Sequence, residues 1–312
     1  MHISTAHHKT NALQRYFRIA QLRRSLPLYI LLAPFLGLFA LFVLWPISNS
    51  FYLSFTDYNG IRSPAFVGLQ NYTQLAADSR FITALGNTTT YVLLVVTLNT
   101  SVGLLLALSL RRQTVVNQIC RVLFFLPAVT SAVAMNVLWR WIFSGEDYGL
   151  GNTIRGFLGL PPVTFLANTS WTMPILVLMA LWGGLGFTMI LFLAGLQSIP
   201  ASLHEAAAID GASEQQRFWY ITLPLLRPTL LYVIITGLIT AFQVFEAVYI
   251  VFRSVESIGG VLDSGLMLVP YLYDQGFNRF DLGYASAIAW VLFAIIFVLT
   301  LANLYIGRER NA

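Results

Sequence analysis

Few residues in this chain could do covalent chemistry, and their spacing excludes most of it. Lys9 is the only lysine, so no GxxxxGK[ST] loop can cradle a nucleotide, and the chain is not its own P-loop ATPase. His2, His7 and His8 fall in a polar N-terminal stretch and His204 in a loop, with no HExxH and no acid at catalytic spacing. The His7-His8 pair is read as a solvated tail rather than a metal site. Cys120 is the single cysteine, which leaves no internal disulfide and no cysteine metal site. No catalytic residue, metal or cofactor is therefore expected. Two other sets of polar residues stand out: a short acidic, alanine-rich stretch with Glu205, Asp210 and Glu214, and isolated polar groups within apolar runs, of which Gln243 and Glu246 are the clearest.

The elements that must position these groups are membrane helices. The 312 residues are 57% hydrophobic and 10% charged, far from the balance of a soluble domain. About 20 apolar residues cross a bilayer as a helix, and six stretches meet that length: 28–55, 91–110, 122–143, 171–196, 229–252 and 282–306. The fold class expected is an all-α integral membrane protein of about six transmembrane helices. A domain over 28–306 lies between an N-terminal tail, 1–27, and a C-terminal tail, 307–312. The first run is too long for a signal peptide and lacks a small-residue cleavage site, so it is expected to stay as a helix. The net charge of +5 forms no basic face, and no nucleic acid is expected as a partner.

Arginine and lysine placement orients the spans. With the N-terminus inside, twelve of the 18 cations, among them Lys9, Arg24, Arg112, Arg121, Arg217 and Arg310, fall on the cytoplasmic side. Arg62, Arg80, Arg140, Arg155, Arg253 and Arg279 fall outside. Both termini are thus expected in the cytoplasm, in a multi-pass protein of the cell membrane in contact with lipid. Trp45, Trp139, Trp141, Trp171 and Tyr249 sit near the predicted outer ends, where amphipathic rings favour the interface.

The segment 197–227 is then a long cytoplasmic loop. Pro200 and Ser202 suit a helix start, Glu205 lies three residues on as in a capping box, and Ala206, Ala207 and Ala208 favour helix. Gly211 allows a reversal, and a second short helix is expected from Ser213 to Tyr220, ended by Pro224. An interfacial helix resting on lipid would present basic residues, whereas this one presents acids. The run Glu205-Ala206-Ala207-Ala208-Ile209-Asp210-Gly211-Ala212, followed by Ile221-Thr222-Leu223-Pro224, resembles the EAA loop of bacterial ABC importer permeases. That resemblance implies a coupling helix docked on an ATPase, with Glu205, Ala206, Ala207, Asp210, Gly211, Ile221, Leu223 and Pro224 as the coupling residues.

Further stretches are similar to the carbohydrate-uptake, maltose-type branch of that family: Phe66-Val67-Gly68-Leu69-Gln70-Asn71-Tyr72, Trp139-Arg140-Trp141-Ile142-Phe143, Gly149-Leu150-Gly151-Asn152, Tyr271-Leu272-Tyr273 and Gly283-Tyr284-Ala285-Ser286. The turn at 252–260 departs from that branch's TGGGP-like pattern. The resemblance implies a permease that forms half of a path for a sugar, oligosaccharide or polyol. Its implied partners are a second homologous permease, a cytoplasmic ATPase dimer that binds the ATP and Mg, and an external solute-binding protein. Polar groups inside spans are costly and mark a pathway. Gln243 and Glu246 are expected on one face of the fifth span with Ile250, and Asn136, Ser286 and Trp290 are further candidates. The competing role for Glu246 is an ion pair with Arg253. A permease for glycerol-phosphate-type esters and an ATPase-independent secondary transporter are the alternatives.

Overall fold

The structure, a computed structural model, describes residues 30–146, 148–253 and 257–308. Expectations placed on the tail 1–27 and the start of the first span, on Asp147, on residues 254–256 of the turn after the fifth span, and on Arg310 lie outside the described residues.

The chain divides into two units after Leu53. The first holds helix α1 (Ile30–Leu53), apolar and free of charge. Pro46 has no amide to donate, and its ring crowds the carbonyl four residues back. Just upstream the helix widens into a π turn, Ala40–Leu44, in which the Trp45 amide bonds the Ala40 carbonyl.

The second unit opens with a two-residue antiparallel ribbon, β1 (Thr56–Asp57) on β2 (Ala65–Phe66). The rest is helical: α2 (Gln70–Ala77), α3 (Ser79–Ser109), α4 (Val115–Phe125), α5 (Ala132–Ile142), α6 (Leu150–Phe157), α7 (Thr169–Gln197) and α8 (Ala201–Ile209), then α9 (Glu214–Leu225), α10 (Arg227–Phe242), α11 (Glu246–Phe252), α12 (Leu268–Tyr273) and α13 (Leu282–Arg308). Among the described residues four helices, α1, α3, α7 and α13, are long and apolar enough to span a membrane, or six if each of two bent pairs forms one span.

Three sequence expectations need correction. The second span does not begin near residue 91: α3 has 31 residues, about 46 Å at 1.5 Å per residue, and Asp78 caps it by accepting the Arg80 amide. The third is not one helix. After α4 a 3₁₀ turn at Leu126–Val129 holds Pro127, Thr130 is extended, and α5 leaves at 97°; a proline without a donor and an extended residue cannot carry the helical ladder. The fifth is also broken, because Gln243 ends α10, Phe245 has φ −138° and ψ −60°, and α11 starts afresh at Glu246.

The core forms where α3, α7 and α10 pack together, with α13 against α10. Tyr91, Val92, Ile175, Leu176, Phe242, Val248, Leu268 and Ile288 are buried there, and a second cluster at the far end joins Ala107, Met189, Phe192 and Leu226. Small residues let the backbones approach. A Cβ on Gly186 of α7 would sit 2.1 Å from the Phe124 carbonyl oxygen of α4, and one on Gly103 would sit 2.6 Å from Thr188. Many large apolar side chains on the outside, such as Leu93, Leu123, Phe297 and Leu301, stay exposed, the pattern of a protein whose solvent is hydrocarbon.

Candidate functional site

The break between α10 and α11 makes the site. Helix geometry alone would put Gln243 and Glu246 on one continuous face; instead the chain turns at Val244 and Phe245, and both side chains line one cavity of about 590 Å³. Asn136 from α5 enters the same wall, together with Tyr91 and Asn99 from α3 and Thr240 from α10. Asn136 is buried and also borders a neighbouring cavity of about 210 Å³ with Trp139 and Trp182, whose rings meet edge to face at 6.3 Å. Ser286 and Trp290 lie on α13 and do not border the main cavity; Trp290 packs edge-on against Phe293. The lining holds one carboxylate, Glu246, and no lysine, arginine or histidine. Arg253 turns away from it: its guanidinium sits 4.7 Å over the Tyr249 ring and donates to the Tyr249 hydroxyl, so the ion pair with Glu246 does not form. Asn99, Tyr91 and Thr240 were missed by sequence reasoning, although Asn99 in a charge-free apolar run carries the same signal that singled out Asn136.

A second site is the elbow formed by α8 and α9. Pro200, not Ser202, caps α8, and no side chain closes its start. The C-terminus is closed by a Schellman motif: the Gly211 amide bonds the Ala208 carbonyl at 3.1 Å, and the Ala212 amide bonds the Ala207 carbonyl at 2.9 Å. Gly211 has φ +82°, left-handed backbone that a side chain resists. The capping box appears one helix later, where Ser213 and Gln216 exchange bonds of 3.3 and 2.8 Å. Pro224 does not end α9. A π turn at Phe218–Thr222 precedes it, with the Leu223 amide bonding the Phe218 carbonyl, and the helix continues to Leu225. Glu205, Ala206, Asp210 and Gly211 are exposed and Ala207 is half-buried, while Ile221, Leu223 and Pro224 are half-buried beside the buried Thr222 and Leu226. Ile209 at the tip is 88% exposed and Tyr220 80%. A cavity of about 550 Å³ separates the elbow from the end of α3, bordered by Arg111, His204, Glu205, Glu214 and Arg217.

At the opposite end a polar cluster ties the starts of α3 and α13 to the 257–278 segment. Arg80 donates to both oxygens of Asp263, at 2.8 and 3.1 Å, and to Asp274 at 3.3 Å. Asp78 accepts from the hydroxyls of Tyr271 and, at 2.7 Å, Tyr284. The Arg80 guanidinium beside Asp263 holds that carboxyl below its usual range. Burial works to raise Asp78, but the hydroxyl and amide donors outweigh it and the net shift is downward. Burial, with Asp78 adjacent, pushes Tyr271 up to about 12. Asp281 is raised by burial.

Among the described residues, no group of three or more His, Cys, Asp or Glu could hold a metal ion. Residues 99–310 match the family described as binding-protein-dependent transport system inner membrane component. The arabinooligosaccharides transport system permease protein AraP of Halalkalibacterium halodurans is 36% identical over 298 residues, covering 95% of this chain and 92% of its own. The lactose transport system permease protein LacF of Rhizobium radiobacter is 32% identical, covering 91% of this chain and 94% of its own. Among solved structures, a bacterial ABC transporter involved in the import of the acidic polysaccharide alginate superposes with a TM-score of 0.81 at 24% identity, over 95% of this chain and 99% of that one. A structure of a bacterial alginate ABC transporter in complex with alginate pentasaccharide-bound periplasmic protein gives 0.79, also at 24% identity, over 93% of this chain and 96% of that one.

Proposed function

The chain belongs to the binding-protein-dependent transport system inner membrane components, the permeases of ABC importers, and from that premise we propose that it forms half of the membrane path for a neutral sugar or short oligosaccharide. It is a multi-pass inner-membrane protein and a transport subunit rather than an enzyme. The observation that carries the substrate class is the cavity wall. Asn99, Asn136 and Gln243 with their amides, Thr240 with its hydroxyl and Tyr91 border the space, with a single carboxylate and no cation. A phosphate ester is best held by arginine or lysine, and this wall offers neither; a polyhydroxylated solute needs uncharged donors and acceptors, which amides supply. The relatives' sugars, arabinooligosaccharides and lactose among them, agree with that chemistry.

The permease works with a second, homologous permease, a cytoplasmic ATPase dimer that binds the ATP and Mg, and an external binding protein. The chain itself needs no cofactor. Both termini and the α8–α9 elbow lie on the cytoplasmic side. The exposed acids and small residues of Glu205–Gly211 give a partner a docking knob, and Ile221, Leu223 and Pro224 join that knob to α10. ATP-driven closure of the ATPase draws the two elbows together and opens the cavity outward, a population shift between two states of one path.

The test is uptake of tritiated arabinotriose and lactose into proteoliposomes that hold the whole importer, with ATP inside and binding protein outside. Accumulation that requires ATP is expected, and Gln243→Leu and Glu246→Gln should each lower it about tenfold, the scale of an unmade hydrogen bond in a polar site. Uptake by the chain alone without ATP, or wild-type uptake in both variants, overturns the reading.

A further inference from the structure

Resting on the path proposed above, the geometry points to Asn99 as a further specificity-determining residue, the amide at a waist between two chambers that takes a hydrogen bond from a solute hydroxyl as the solute passes. Beyond the main cavity, toward the elbow, lies a smaller chamber of about 170 Å³. The two share Val95, Asn99, Gly184, Gly237 and Thr240 in their walls, so Asn99 stands where α3, α7 and α10 converge. Thr100, Thr188 and Thr236 add hydroxyls to the smaller chamber, whose lining has no ionisable side chain.

Two observations separate Asn99 from an ordinary packing residue. Its Oδ1 is buried without a hydrogen-bond partner among the described residues, which forfeits a bond that an apolar side chain of similar size would never have needed. Its Nδ2 lies against α7 at Gly184, where an added Cβ would stand only 2.3 Å away, so the neighbouring helix gives up its side chain to make room for the amide. A polar group in an apolar helix that contributes no bond to holding the helices together is costly. Alternating access supplies a reason to keep it: when the three helices shift, the carbonyl oxygen comes to face the path and a hydroxyl of the passing solute satisfies it. The chambers on either side carry no cation, and Glu246 is their one carboxylate, a lining that suits the same neutral, hydroxyl-rich solute.

The experiment uses the complete importer in proteoliposomes. Cys120, on α4 and off both chambers, is replaced by serine, and Asn99, Thr240 and Gln243 are changed to cysteine one at a time. Each is treated with a membrane-impermeant methanethiosulfonate, with and without ATP and vanadate. Asn99→Cys should label in one nucleotide state and be spared in the other. In parallel, Asn99→Leu and Asn99→Ala should lower maximal uptake of tritiated arabinotriose or lactose about tenfold while the partner subunits still co-purify. If Gln243→Cys and Thr240→Cys label and Asn99→Cys never does, or if Asn99→Leu transports at the wild-type rate, this inference falls and the path stands. If none of the three labels, the path itself is wrong. Loss of co-purification in Asn99→Leu together with silent Asn99→Cys marks a structural residue and also overturns it.

Discussion

Gly211 is the residue on which the elbow depends. Its φ of +82° disfavours any side chain, yet an added Cβ meets nothing within 4 Å, so Gly211→Ala should cost only the left-handed penalty, about 1–2 kcal/mol. Chemical denaturation would register that loss, and with the docking role proposed for Glu205–Gly211 uptake should fall with it. The Arg80 cluster yields a pH prediction. Asp263 and Asp78 titrate lower in the folded chain than unfolded, so the stability they lend is complete above the ordinary carboxyl value, about pH 4, and drains away as pH falls through their lower folded values. Asp281 is raised, so its contribution is present at low pH and is lost as pH climbs through its folded value. Thermal midpoints in detergent should therefore fall as pH drops below about 4, and Asp263→Asn should weaken that fall; an unchanged fall would exclude the carboxyl. The stretches that carried the family resemblance were legible as motifs, but several of their polar side chains prove to be fasteners. Asn71 bonds the Ser54 and Thr56 carbonyls at 2.9 and 3.0 Å, Asn152 bonds Val163 through both its amide atoms, and Tyr271 and Tyr284 hold Asp78. A motif reports that a side chain is needed, and only the fold says for what.

At the scale of the element, the sequence announced long apolar runs but not their breaks. Pro46 and Pro224 each follow two residues after a π turn, Ala40–Leu44 and Phe218–Thr222. The wider turn removes the clash with the carbonyl four residues back, which is why Pro224 sits inside a helix that composition would have ended. Pro127, with an extended Thr130 behind it, bends the chain by 97°. Nothing in a count of apolar residues separates these outcomes, and the Gln243–Phe245 break has no proline to mark it. Close helix contacts were equally hidden. Gly186→Ala would press a methyl into the backbone of α4 and should cost about 1–3 kcal/mol; Gly86, with open space around it, should accept alanine at no cost or gain up to about 1 kcal/mol. Thermal unfolding of the two variants side by side checks both, and equal midpoints would refute the packing account.

For the whole molecule, the all-helical membrane character was readable because hydrocarbon demands it of a charge-poor chain. The candidate cavity was half readable as geometry: Asn136, Gln243 and Glu246 converge on it, but through a break and a bend rather than through helical periodicity, and Ser286 and Trp290 do not join them. Dependence on partners is open to measurement. Glu205→Ala combined with Gly211→Val should abolish co-purification of the ATPase and ATP-dependent uptake together, and retention of both would remove the elbow from coupling. The length of α3 has a consequence of its own. About 46 Å of helix exceeds the roughly 30 Å that a bilayer's oily slab requires, and the surplus is its Asn- and Thr-bearing first third, seated in the Arg80 cluster. Such a helix has slack at that end alone, since Arg111 and Arg112 follow its other end, so solute uptake should hold steady as acyl chains are lengthened by a few carbons.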